Sequence, residues 1–162
     1  MTYTQRTPNS CGPDALQFAS GATFDAIDQA FECPDITRFR DSMDSPLDHR
    51  FACGALGLPI TVMGIDAILA CRGDVKIVAL VHGAGLAGAF LHQHWCVIVE
   101  VTDQTVCVAW GDGTIKVFKH AAFKDAFKRA APEFAYRVGA GEVPHLRWWE
   151  RALRWLGRKI GY

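Results

Sequence analysis

Beyond residue 74 the apolar residues change period, and few folds accommodate that change. Residues 75–81 (VKIVALV), 95–101 (WCVIVEV), 106–110 (VCVAW) and 114–118 (TIKVF) are β-branched or aromatic runs. Turn residues Thr102-Asp103-Gln104-Thr105 and Gly111-Asp112-Gly113 join the last three into a meander. The first half instead repeats at helical spacing. Gly12-Pro13-Asp14 opens one helix, with proline tolerated in the first turn. Ala15, Leu16, Phe18 and Ala19 continue it to Gly21. Thr23 is expected to cap a second helix reaching Phe31. Residues 32–53, rich in Asp, Pro, Ser and Arg, read as a long surface connection, and residues 59–70 as containing a third helix. Residues 120–130 read as a helix with Phe123 and Phe127 on one face. Helices first and an antiparallel sheet second is an α+β order.

The chain of 162 residues suits one domain with a real core. Its net charge is zero but unevenly placed, net −5 over residues 1–70 and net +5 beyond, which suggests a polarised surface. No basic cluster with interleaved aromatics occurs before the last eighteen residues, so no nucleic-acid partner is expected. No apolar, uncharged run reaches the roughly eighteen residues of a membrane span, and the polar N-terminus lacks a signal-peptide pattern. The six cysteines are widely spaced, with no zinc-knuckle pair. Reduced thiols in a cytoplasmic or other reducing compartment are the expectation.

One cysteine stands apart. Cys11 follows the turn-forming stretch Thr7-Pro8-Asn9-Ser10 and begins the first helix, six residues after Gln5. A helix N-terminus and a nearby imidazolium both stabilise a thiolate. Attack on a carbonyl creates an oxyanion, for which the Cys11 N–H and the Gln5 amide are candidate donors. His94 opens a β run and Asp112 follows the next strand, so an imidazole and a carboxylate are available to the thiol. Taken alone, Cys11 reads as a buried packing residue more readily than as a catalytic one.

Gln5, five intervening residues and Cys11-Gly12 resemble the nucleophile segment of papain-fold cysteine peptidases, in particular the bacterial type that trims double-glycine leader peptides. The run from His94 to residue 101 is similar to that family's histidine strand, and the order Cys, His, Asp is kept. The resemblance covers roughly residues 3–130. It implies a papain-like fold, with Cys11 as nucleophile, His94 as general acid/base and Gln5 as oxyanion donor. It implies a peptide or peptidoglycan-like substrate and no cofactor. The family's third member stands about sixteen residues after the histidine, where this chain has Trp110. Asp112 lies two residues further, on the same face of an extended strand. A hairpin turning at Asp103-Gln104 brings it opposite residues 94–95. Asp112 is the expected third member, Asp103 a poorer substitute, and a plain turn role for Asp112 in Gly-Asp-Gly the alternative. The Trp110 departure also opens a second reading, an inactive papain-like scaffold serving as a structural or docking module in a larger assembly.

Three further features complete the reading. His92 lies two residues from His94 and competes with it, as base or as half of a metal pair without a recognisable third ligand. His49, His82, His120 and His145 read as ordinary structural or surface histidines. Residues 83–88 (GAGLAG) match a dinucleotide fingerprint in spacing only: no adequate helix follows, and there is no G-x-S-x-G elbow for the α/β-hydrolase alternative. Finally, residues 1–143 are read as the peptidase-like domain and 144–162 as a basic, tryptophan-rich amphipathic helix after a Gly139-Ala140-Gly141 hinge. Leu146, Trp149, Leu153, Leu156 and Ile160 make its apolar stripe. It suits its own domain or a protein partner through residues 145–162, with a membrane surface the third alternative.

Overall fold

A six-stranded antiparallel sheet in the order β1-β6-β2-β3-β4-β5 organises the computed structural model, which describes residues 2–40, 43–82 and 93–160. The strands are β1 (Ile60–Val62), β2 (Gly73–His82), β3 (Gln93–Val101), β4 (Thr105–Ala109), β5 (Ile115–Lys119) and β6 (Ala135–Val138). The helices are α1 (Cys11–Ser20), α2 (Phe24–Ala30), α3 (Pro46–Ala55), α4 (Ile65–Leu69), α5 (His120–Arg129) and α6 (Trp148–Ile160). A 3-10 turn spans Ile36–Arg38.

Strand alternation divides the core into two layers. Val78, Leu80, Trp95 and Val97 face Leu16, Ile27 and Ala52 of the first three helices and Phe31 just after α2. Ile77, Ala79, Cys96 and Ile98 face Ile68 of α4 and Phe123 and Phe127 of α5. The sheet is therefore covered on both faces, and β2 and β3 are apolar on both sides.

The local signals act as expected in α1 and α2. Gly21 takes the left-handed conformation (φ 72°) and its N–H closes α1 on Gln17. The Thr23 hydroxyl caps α2 on the Ala26 N–H at 3.3 Å. The long surface connection over residues 32–53 is corrected, because α3 occupies its second half. Ser45 and Asp48 form a reciprocal capping box, and Pro46 sits in the first turn. Those polar residues are helix-start chemistry. Within residues 59–70 only α4 is helical. Ile60-Thr61-Val62 instead pairs with β6, as β-branched residues favour. Gly139 (φ 86°) and Gly141 (φ 93°) make turns that lay residue 142 against Ile60. A Cβ on Gly141 would collide with the Ile60 carbonyl.

The charge asymmetry is partly neutralised inside the fold. Arg154 and Arg158 of α6 reach Asp48 at 2.7 and 2.8 Å, and both reach Glu32. Arg50 pairs with Glu150 at 2.6 Å. The apolar stripe of α6 consequently points to solvent: Trp149, Leu153, Leu156 and Ile160 are exposed, as are Trp148 and Trp155, while Glu150 and Arg154 are buried. Among the described residues, which include all six cysteines, none forms a disulfide. No helix among them is long and apolar enough to cross a membrane.

Candidate active site

The segment carrying Gln5 is fixed from two sides. Thr4 pairs with Asp112, and the Gln5 N–H donates to the Gly111 carbonyl at 2.8 Å. Gly111 leaves room for the Gln5 side chain, since a Cβ there would come within 2.9 Å of Gln5 Oε1 and displace it. On the other side Arg6 forms a two-pronged pair with Asp28 at 2.7 and 2.8 Å, and its Nε donates to Asp14 at 2.6 Å. Asp14 is 1% exposed and also accepts from the Arg6 N–H and the Ser10 hydroxyl. Asp14 sits in the first turn of α1, so one carboxylate locks the Gln5–Ser10 turn to the helix that Cys11 begins.

Tyr3 fixes that helix start against the sheet. Its hydroxyl lies 2.8 Å from the Cys11 carbonyl and 3.4 Å from the Trp95 carbonyl. Cys11 is thereby held beside the beginning of β3, which His94 occupies. A cleft of about 680 Å³ results, lined by Gln5, Cys11, His94, Trp110 and Asp112 among others. Four residues singled out in the sequence thus share one concavity.

Their surroundings differ. The His94 imidazole lies 4.5 Å from the Trp110 ring, tilted by 32°, and Lys116 Nζ lies 4.9 Å over that same indole. Burial lowers the His94 pKa, Lys116 lowers it further and Asp112 opposes them, leaving it at about 4. The imidazole is therefore neutral at physiological pH.

The Asp112 carboxylate accepts from the Thr114 N–H at 2.9 Å and the Thr114 hydroxyl at 2.5 Å, and lies 3.4 Å from Lys116. The Thr114 bonds, and Lys116 after them, hold its pKa below the usual carboxylate value. Its position faces the cleft while its oxygens are engaged by the Gly-Asp-Gly turn. The strand register brings Val97 opposite Ala109, and continued by three residues it sets 94 against 112. The paired ladder ends at Ala109, before that point. Asp103 sits at the far turn and pairs with Arg72 at 2.6 Å. Gln5 Nε2 donates to the Thr7 carbonyl at 2.5 Å, a bond that needs one of the two amide protons.

The sequence reading missed the group on the buried side of Cys11. His49 is no ordinary structural histidine with an unnameable partner: it is 0% exposed, Nε2 lies 2.9 Å from Asp44 Oδ1, and Nδ1 lies 2.6 Å from the Tyr136 hydroxyl. Its ring stacks on Trp95 at 3.8 Å. Asp44 Oδ2 accepts from the Gly12 N–H at 3.1 Å and from the Cys11 thiol at 3.6 Å. A Cβ on Gly12 would collide with that carboxylate. Burial raises the Asp44 pKa, against the lowering effect of its His49 bond. No short motif announces this group, because its members come from α1, the approach to α3, α3 itself and β6.

His92 and the 83–88 glycine loop lie outside the described residues. Among the described residues no cluster of three or more His, Cys, Asp or Glu could hold a metal.

No protein-family model matches the chain, and no curated protein sequence matches it. Solved structures do. A double glycine motif protease from an AMS/PCAT transporter, in complex with the leader peptide, superposes with a TM-score of 0.62 at 9% identity, over 85% of this chain and 89% of that one. The peptidase domain of Streptococcus ComA, a bi-functional ABC transporter involved in a quorum sensing pathway, gives 0.59 at 13% identity, over 89% and 98%. The corresponding domain of Streptococcus mutans ComA gives 0.56 at 14% identity, over 86% and 98%. These neighbours are papain-like cysteine peptidase domains. With its helices first and its antiparallel sheet behind them, the chain has the papain-like fold.

Proposed function

We propose that the protein is a thiol-dependent hydrolase of peptide or amide bonds, with Cys11 as nucleophile and His94 as general acid/base. The observation that carries this reading is the single cleft in which a thiol at a helix start, an imidazole and a glutamine side chain meet. In the first step the Cys11 sulfur bonds to the carbonyl carbon, the thiol proton passes to neutral His94, and the carbonyl π pair moves to oxygen. The Cys11 N–H and the second amide proton of Gln5 stabilise that oxyanion. Collapse re-forms the carbonyl and breaks the C–N bond, the amine leaving with the proton from His94. Water then hydrolyses the thioester by the reverse proton path.

A peptide suits the site better than a peptidoglycan-like ligand, because one structural neighbour holds a leader peptide. Asp112 serves as an electrostatic neighbour of His94, raising its basicity from across the cleft. No cofactor is assigned to the reaction, and we assign the protein to a reducing compartment, which would keep the Cys11 thiol reduced. The test is cleavage of leader-type peptides by wild type, Cys11→Ala and His94→Ala. Cleavage confined to wild type supports the reading; cleavage retained in Cys11→Ala overturns it.

One observation favours docking as an additional role. Helix α6 is seated by its arginines and turns its apolar stripe outward. We assign residues 145–162 to contact with a protein partner, a membrane surface being the competing occupant. Residues 1–143 remain the domain that carries the chemistry. Pull-down with Leu153→Asp/Leu156→Asp protein tests this: loss of the partner supports docking, and loss of vesicle binding alone favours the membrane.

A further inference from the structure

Behind Cys11 runs a continuous chain of polar groups within the helical layer of the core. Burial pushes the Cys53 thiol up to about 12 and the Tyr136 hydroxyl well above its usual value, so both keep their protons. The Tyr136 O–H can then donate to His49 Nδ1, which leaves the His49 proton on Nε2, directed at Asp44 Oδ1. Asp44 receives three donors: the His49 N–H, the Gly12 N–H and the Cys11 S–H. Every donor in this chain points toward one carboxylate, whose side chain is 7% exposed. The first-turn N–H of Gly12, which would otherwise favour a thiolate, is committed to it as well.

We propose that Asp44 is a positioning residue of the nucleophile, holding Cys11 as a thiol with its proton turned inward, away from His94. A carboxylate 3.6 Å from the sulfur disfavours a second negative charge there. The bonds from His49 and the Gly12 N–H oppose the rise that burial imposes on the Asp44 pKa, and His49, itself bonded to Tyr136, holds the carboxylate in place. The proposal rests on Cys11 being the nucleophile of the hydrolase reading, and it adds the resting protonation state. Attack then requires the S–H bond to leave Asp44 and the proton to pass to His94 as the carbon–sulfur bond forms.

Among the described residues, several other charged and titratable groups near this pair have identifiable commitments. Tyr3, from the N-terminal segment, is raised by burial and stays neutral. On α1, Asp14 is committed to Arg6 and Ser10. On α3, Asp48 is committed to Ser45 and the α6 arginines. On β3, burial pushes the Cys96 thiol up and leaves His94 neutral. Asp112 is held by Thr114 and Lys116.

The experiment measures the rate of iodoacetamide alkylation at Cys11, by peptide mass spectrometry, from about pH 5 to 10 in wild type and Asp44→Asn. The variant removes the charge and keeps the shape. Its alkylation midpoint is expected to fall by about one pH unit or more, giving roughly tenfold faster labelling at neutral pH. Superimposed profiles, or a rise, overturn the proposal. Should Asp44→Asn not fold, the wild-type infrared spectrum decides: an S–H band that Cys11→Ser removes, still present at about pH 8, supports the thiol, and its absence overturns it. Neither readout needs turnover. A protein that cleaves no peptide but shows the shift keeps this inference and loses the hydrolase reading. One that cleaves peptides with superimposed profiles does the reverse.

Discussion

The Trp110 indole packs 4.5 Å from the His94 imidazole, its ring tilted by 32°. An indole covers the imidazole and excludes water, but accepts no proton from it. It also carries Lys116 on its face, so this aromatic partner of His94 brings a cation toward it.

Replacing the indole by a carboxylate reverses that electrostatic arrangement. Trp110→Asp is expected to raise the His94 titration midpoint from about 4 toward or above the ordinary histidine value, read by NMR of the imidazole protons. The loss of a buried indole costs about 3 kcal/mol of stability, read by urea denaturation.

The depressed His94 pKa makes stability depend on pH with a definite sign. Between about pH 4 and 6.5 the unfolded chain binds a proton at His94 that the folded chain does not. Stability from this residue is therefore complete above pH 6.5 and is lost as pH falls through that window, by about 2–3 kcal/mol. Asp44 acts oppositely, because its raised pKa makes the folded chain bind more protons than the unfolded one. The difference between wild type and His94→Gln isolates the histidine: the variant is expected to lose less stability than wild type between pH 7 and 4.5 in thermal denaturation.

The Gln5 turn depends on one buried carboxylate. Asp14→Ala leaves Arg6 with Asp28 alone and strips the Ser10 hydroxyl and the Arg6 N–H of their acceptor. A stability loss of about 3 kcal/mol is expected by urea titration, together with faster proteolysis within residues 4–10.

Helix α6 inverts the usual use of an amphipathic helix, and its two faces should respond differently. Arg154→Ala opens the pairing with Asp48 and Glu32 and the stacking over Phe51 at 3.8 Å, costing about 3 kcal/mol. Leu153→Asp, on the exposed stripe, should change stability by no more than about 0.5 kcal/mol. Thermal denaturation of both variants checks the contrast.

The parts of this structure visible in the sequence are those governed by local chemistry. α1, with Gly21 behind it, and strands β2 to β5 follow from periodicity and turn residues, and the Cys11, His94 and Gln5 positions follow from the resemblance. α3 was obscured because Ser45, Pro46 and Asp48 have loop composition and capping function at once. β6 has four residues and is a strand only because β1 and β2 flank it. The α6 seating escaped notice because burial of its arginines depends on acids about 100 residues away, such as Asp48. The Asp44–His49 group was hidden for the same reason: Tyr136 lies 87 residues from His49. For Asp112 the spacing indicated a place in the cleft, but its oxygens follow the Thr114 turn.

The central claim is that the Cys11 sulfur reacts with carbonyl-like electrophiles because His94 takes its proton. A peptidyl acyloxymethyl ketone probe, mapped by mass spectrometry, tests it directly. The account predicts one adduct, on Cys11, formed at least about a hundredfold more slowly in His94→Ala. Equal rates at Cys11 in the two proteins, or adducts spread over the other cysteines, would contradict it.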